Sequence, residues 1–204
     1  MKLQQVAEHL KARGFQAYVF ATGAEAADWL CKQLAGKTVG IGGSLSVRQL
    51  GLHTRLAENN TVYWHWLPEQ VEQHGGMNAV RDLAATAEVY LTSANALSAQ
   101  GQIINIDGAG NRIASTAYGH KQVYFLVGAN KVAADFDAAM HRARNVAAPL
   151  NARRLGRQTP CTVGELKCHD CSSPQRICNG FLTLERPMSG TETFVLLVEE
   201  ELGA

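Results

Sequence analysis

The feature that most constrains the fold is a run of three strand candidates punctuated by small, polar turns. Between Ala87 and Lys131 the chain reads AEVYLTSANALSAQGQIINIDGAGNRIASTAYGHKQVYFLVGANK. Glu88–Thr92, Gln102–Ile106 and Gln122–Gly128 are apolar and rich in strand formers, and Gly, Asn and Ser separate them. The second turn places Asp107, Gly108, Asn111 and Arg112 within six residues: an acceptor, a backbone free to approach closely, an amide and a cationic fork. Binding residues concentrate on loops held by a rigid scaffold, so the ligand is expected here. The Asp-Gly pair is equally the mark of a sharp hairpin.

The flanking chain alternates helix and strand. Leu3, Val6, Ala7 and Leu10 fall at helical intervals, and Phe15–Ala21 reads as a strand. Thr22-Gly-Ala-Glu25 has the spacing of a capping box and opens a helix to Leu34, with Cys31 inside it as a small buried residue. Lys37–Ile41 is a strand, Gly42-Gly43-Ser44-Leu-Ser46 a loop, and Val47–Glu58 a helix interrupted by Gly51. Thr61–Trp66 is a strand whose His65 is expected to be structural, residues 67–76 are a loop and Met77–Thr86 is a helix. Asp135–Asn145 and Pro149–Leu155 read as two helices, and Thr193–Glu199 as a central strand. Such alternation implies one layered α/β domain over residues 1–204 with a mostly parallel sheet flanked by helices. The Gly42-Gly43-Ser44 turn follows a strand and opens a helix, a geometry that aims N–H groups and hydroxyls at a phosphate or carboxylate. It has neither the Lys-Ser/Thr pair of a nucleotide-triphosphate loop nor the full dinucleotide motif, so no flavin or nicotinamide fingerprint is present.

A formal net charge of +1 argues against a dedicated nucleic-acid binder, and the basic stretch Arg142–Arg157 is expected to be chiefly a solvated helical face. The first residues lack the apolar core of a secretory signal, and no apolar run is long enough to span a bilayer. A cytoplasmic setting is expected, in which cysteines are reduced thiols or metal ligands.

The sharpest chemical pattern is Cys161, Cys168, Cys171 and Cys178, spaced C-x6-C-x2-C-x6-C within an appendage at about residues 159–179. Four soft thiolates suit zinc or an iron–sulfur cluster, whereas redox-active thiols and unliganded structural cysteines are the competing readings.

Taken together, Ser93–Gly101, Ile103–Arg112, Val127-Gly-Ala-Asn-Lys131 and Arg142–Arg154, with Gly40-Ile-Gly-Gly-Ser44 upstream and Arg176-Ile-Cys-Asn179 downstream, resemble the LUD domain of lactate utilisation protein C and its relatives. The resemblance implies the fold of the sugar-phosphate isomerase and CoA-transferase superfamily. It also implies a component of iron–sulfur-dependent lactate oxidation, working with cluster-bearing subunits, with a homo-oligomer as a further expectation. In that picture Gly42, Gly43 and Ser44 receive an anionic ligand, and Asn95, Asp107, Gly108, Asn111, Arg112 and Lys131 line its site. The alternative is a free-standing enzyme or binding protein for a sugar phosphate or acyl-CoA-like ligand, with Asp107 as general base. Asn95 occupies the position where methylthioribose-1-phosphate isomerases carry an acidic residue, and an amide cannot exchange that proton.

Overall fold

The computed structural model describes residues 2–204. The chain begins with α1 (Leu3–Ala12), β1 (Gln16–Phe20), α2 (Gly23–Gln33) and β2 (Thr38–Ile41). Two short helices, α3 (Leu45–Gln49) and α4 (Leu52–Ala57), lead to β3 (Thr61–Trp64), α5 (Pro68–Gln73), α6 (Met77–Ala85) and β4 (Val89–Thr92). Then come β5 (Ala96–Ser98), β6 (Ile103–Asp107), α7 (Asn111–Ala117), β7 (Gln122–Gly128) and β8 (Val132–Ala133). Helix α8 (Phe136–Arg142) passes through a π turn (Ala143–Ala147) into α9 (Ala148–Arg154), followed by α10 (Pro160–Val163), β9 (Gly180–Leu184) and β10 (Glu192–Val198).

Six strands form an all-parallel sheet in the order β1-β10-β7-β4-β2-β3, and four form a smaller mixed sheet, β8-β5-β6-β9. One face of the large sheet packs Ile41, Leu91, Leu126 and Leu196 against Leu30 of α2 and Leu52 and Leu56 of α4. The other face packs Phe125, Val127 and Leu197 against α1 and against Leu97, Ile103 and Leu184 of the small sheet. The small sheet's outer face is closed by Ala139, Ala143 and Ala148 of the long helix. The layers are therefore helix, sheet, sheet, helix: the parallel sheet flanked by helices is as expected, whereas the second, mixed sheet is not, and it takes Ile103–Asp107 out of the sheet that holds its sequence neighbours β4 and β7. Strands β7 and β10 are buried almost throughout, which is why both read as unbroken apolar runs.

Local chemistry sets the element ends. Thr22 and Glu25 make the expected capping box. The expected helix at 47–58 is instead two, because Gly51 sits at φ 60 and turns the chain between α3 and α4. The two helices expected after Asp135 are one body joined by the π turn, capped by the Asp135 carboxylate on Ala138 N–H at 2.8 Å. The segment 67–76 holds α5, with Pro68 in its first turn and no buried residue to advertise it. Its Gln70 side chain accepts from Trp64 N–H at 2.8 Å and donates to the Val62 carbonyl at 2.7 Å, bracing the edge strand β3.

Candidate functional site

In the large sheet β2 and β4 are neighbours, yet the chain leaves β2 towards β3 on one side and leaves β4 towards β7 on the other. Diverging connections open a crevice beyond the carboxyl ends of parallel strands, the usual ligand position in such sheets. A cleft of about 470 Å³ lies there, walled by Gly43 and Ser44 after β2, His65 and Trp66 after β3, Ser93 to Asn95 after β4 and Lys131 after β7.

Six basic side chains line it, Arg81, Arg112, Lys131, Arg154, Arg157 and Arg176, against one acidic side chain among the described residues, Asp107. That carboxylate is already occupied: Oδ1 accepts from the N–H groups of Ala109 and Gly110 at 3.1 and 3.2 Å, and Oδ2 from Arg112 N–H at 3.1 Å. Asp107 thus folds its own turn and holds the start of α7, while Arg112 Nε lies 3.7 Å from Oδ2. The guanidinium of Arg112 also donates to Asn95 Oδ1 at 2.7 Å and to the Ile106 carbonyl at 2.6 Å. Asn95 Oδ1 accepts a second bond from Ile106 N–H at 2.9 Å, so the group that Asn95 leaves for the cleft is its amide nitrogen.

Of the glycine loop, Gly43 and Ser44 reach the cleft wall, whereas Gly42 lies behind it, donating its N–H to Leu91 and accepting from Trp64 Nε1 at 3.1 Å. Ser44 caps α3, accepting from Val47 N–H at 3.2 Å. Gly108 and Asn111 are on the wall with Asp107 and Arg112. The sequence-derived ligand residues are therefore brought together, Gly42 excepted.

The basic stretch after Arg142 is not simply a solvated face. Arg142 is half-buried and clamps two loops, with Nε on the Asn130 carbonyl at 2.8 Å and Nη1 on the Asn95 carbonyl at 2.5 Å. Arg154 lies over the Trp66 ring at 4.7 Å. Arg144 pairs with Asp170 at 3.2 Å and sits over the Phe181 ring.

Lys131 is 4% exposed and makes no ion pair among the described residues. Its Nζ donates to Ser46 Oγ and Ser93 Oγ, each at 3.0 Å. Burial, followed by the charges of Arg142 and Arg112, lowers its pKa to about 7. His65 is buried with Nδ1 unpartnered, and burial together with the Arg81 cation lowers its pKa to about 4. Arg81 and Arg176 each likewise hold a buried Nε without a partner, and a buried donor left unpaired is uncommon in a folded chain. Ser93, Arg81 and Trp66 were not singled out from the sequence as site residues. Ser93 carried one usable signal, its position just past a parallel strand's carboxyl end, whereas Trp66 was hidden because the expected strand ran to Trp66 and the observed one ends at Trp64.

All four appendage cysteines face one small cavity of about 20 Å³ beside Arg144 and Pro149. Asp170, at φ 45, donates its N–H to Cys168 Sγ at 3.4 Å, the polarity a ligating thiolate requires. The donor chemistry suits a soft metal. As folded, however, no three His, Cys, Asp or Glu side chains among the described residues are gathered to hold one, so metal binding requires the loop to close. Arg176 belongs to both cavities and grips the appendage through the carbonyls of Cys171 at 2.5 Å and Cys178 at 3.0 Å.

No helix among the described residues is long and apolar enough to cross a membrane. The chain is similar to a DUF162 family protein from Deinococcus radiodurans whose crystal structure superposes with a TM-score of 0.53, at 12% identity, over 96% of this chain and 94% of that one. That likeness is one of fold. No curated protein matches the chain. The LUD domain model matches residues 3–198, every element from α1 to β10 that builds the cleft, and the chain belongs to the LUD domain family.

Proposed function

We propose that this LUD-family chain binds a small anion in the cleft and serves lactate utilisation as a component of iron–sulfur-dependent oxidation of lactate to pyruvate in a reducing cytoplasm. The observation that carries the reading is the charge of the cleft: five guanidinium groups and the Lys131 amine, whose pKa is lowered to about 7, face a single carboxylate side chain that is already bonded to its own turn. Clefts lined by one sign of charge with low-dielectric walls concentrate counter-ions. Arg112, Lys131 and the amides of Asn95 and Asn111 are the groups assigned to the anion, with Ser44 on the wall of the same cleft. Electron transfer is assigned to cluster-bearing partner subunits, and the cysteine appendage to an accessory cluster or a zinc ion.

A second reading rests on size. About 470 Å³ is more than a three-carbon acid fills, and such a volume suits a sugar phosphate or the head of an acyl thioester.

Calorimetric titration with L-lactate, pyruvate, inorganic phosphate and ribose 5-phosphate, at low and high salt, separates the readings. Lactate or pyruvate binding that persists at high salt supports the first, tight binding of the phosphosugar alone supports the second, and no binding of any of the four overturns both. Iron and acid-labile sulfide analysis of protein purified without oxygen tests the appendage: iron with sulfide supports the cluster, zinc gives it a structural role, and the absence of metal removes the cofactor from the proposal.

A further inference from the structure

Lys131 is a buried amine with two hydroxyls and no carboxylate for company. Ser46, from α3, and Ser93, just after β4, each lie 3.0 Å from Nζ, and the two hydroxyls are 3.3 Å from one another. All three side chains are at most 4% exposed. Ser93 and Lys131 are on the cleft wall and Ser46 is behind them, where it also donates to the Leu202 carbonyl at 3.2 Å. An amine held only to form a salt bridge would sit beside an acid. This one sits between two potential nucleophiles, at the crevice where β2 and β4 diverge.

We propose that Ser93 and Lys131 form a catalytic pair for acyl transfer, with Ser93 as nucleophile and Lys131 as general base and acid, and with Ser46 as the positioning residue whose buried hydroxyl holds the amine against Ser93. The substrate class is an ester or thioester carrying an anionic group, which the surrounding guanidinium groups hold. The activity goes beyond lactate utilisation and does not depend on it.

In the first step neutral Lys131 takes the Ser93 proton as Oγ bonds to the acyl carbon. The bond to the leaving alcohol or thiol breaks, and the leaving group receives the proton from Lys131 on the cleft wall. Water then attacks the acyl-serine, gives its proton to Lys131 and releases the acid, while Ser93 Oγ is reprotonated. The sum is ester plus water to acid plus alcohol. Serine activated by lysine in place of histidine is a known solution to this chemistry. A base must be neutral to act, and burial brings that state within reach near pH 7. The charged groups facing Nζ are Arg142 from α8 and Arg112 from α7, both of which favour the neutral amine. The amide nitrogen of Asn95, two residues past the nucleophile, is the nearest side-chain donor in sequence for a developing oxyanion.

The test uses the full chain and an anionic ester, mono-4-nitrophenyl succinate. Nitrophenolate is followed by stopped flow, and the modified peptide is mapped by mass spectrometry. The expected result is a burst of one nitrophenolate per chain with the acyl group on Ser93. The rate should increase as pH rises through about 7, and removing the base in Lys131→Met should slow acylation by about 10²–10⁴-fold. Ser93→Ala should abolish the burst. Release no faster than in buffer, an unchanged rate in Ser93→Ala, or succinylation of Lys131 itself overturns the proposal. Peptide mapping is read on the unmutated chain, so the outcome stands even if a variant fails to fold.

Discussion

Asn179 donates its backbone N–H to the carbonyl of Asp107 at 3.0 Å, and this bond extends the pairing of β6 with β9 to the cleft loop. The Asn179 side chain repeats the tie on the next residue, donating from Nδ2 to the Gly108 carbonyl at 3.1 Å. The cysteine appendage therefore ends on the turn that shapes one wall of the cleft.

Asp107 is expected to matter for the shape of that turn. Replacing it with Ala removes the acceptor for three backbone donors, and bonds to a charged acceptor are worth about 1.5–3 kcal/mol each, less when water can replace them. A loss of about 2–4 kcal/mol in urea unfolding is expected for Asp107→Ala, and a smaller one for Asp107→Asn, which keeps one oxygen. A stable Asp107→Asn protein that no longer binds any anion would instead place the carboxylate in direct contact with the ligand.

Gly40 is the tightest point of the large sheet. A Cβ there would lie 2.2 Å from the Ala84 carbonyl oxygen of α6, a backbone atom that cannot swing aside. Gly40→Ala is expected to cost about 3 kcal/mol or more as α6 is pushed off the sheet. An unchanged denaturation midpoint would show that α6 can shift without loss.

His65 gives the fold an acid limit. In the folded chain it stays neutral down to about pH 4, against an ordinary value of 6.5. Between those two values the unfolded chain binds the extra proton, so stability is complete above pH 6.5 and is lost progressively as pH falls towards 4. A neutral replacement, His65→Gln, should flatten that part of the stability profile. Equal slopes in the two proteins, measured by urea unfolding at half-unit pH steps, would show that His65 does not set the limit.

The sequence made the long sheet elements legible because burial on both faces writes continuous apolar runs, as in β7 and β10. Thr22 and Glu25 announced α2 by the same logic of satisfied backbone groups. The short elements carried too few residues for a period to emerge: β5 has three residues, β8 two, and α5 buries none of its six. The turn at Asp107 was visible, but the helix α7 that follows it was not, since Gly110 and Asn111 read as loop. Lys131 and Arg112 were visible as cations in a ligand loop. Their setting was not: Ser46 and Ser93 lie 47 positions apart and meet only because β2 and β4 are adjacent. Arg142 shows the converse, a residue that looks like surface charge in sequence and is a clamp between two loops in space.

The cations of the cleft arrive from separate parts of the chain: Arg81 from α6, Arg112 from α7, Lys131 after β7, Arg154 from α9, Arg157 beyond it and Arg176 from the appendage. Their potential is a sum, and the screening length at physiological salt, about 8 Å, is comparable with the distances across such a cavity. Loss of one guanidinium therefore dims the attraction without extinguishing it, and tolerance to single substitutions is a property of the arrangement itself. A variant that truly discharges the cleft must change several elements at once, whereas raising the salt weakens all six contributions in one step.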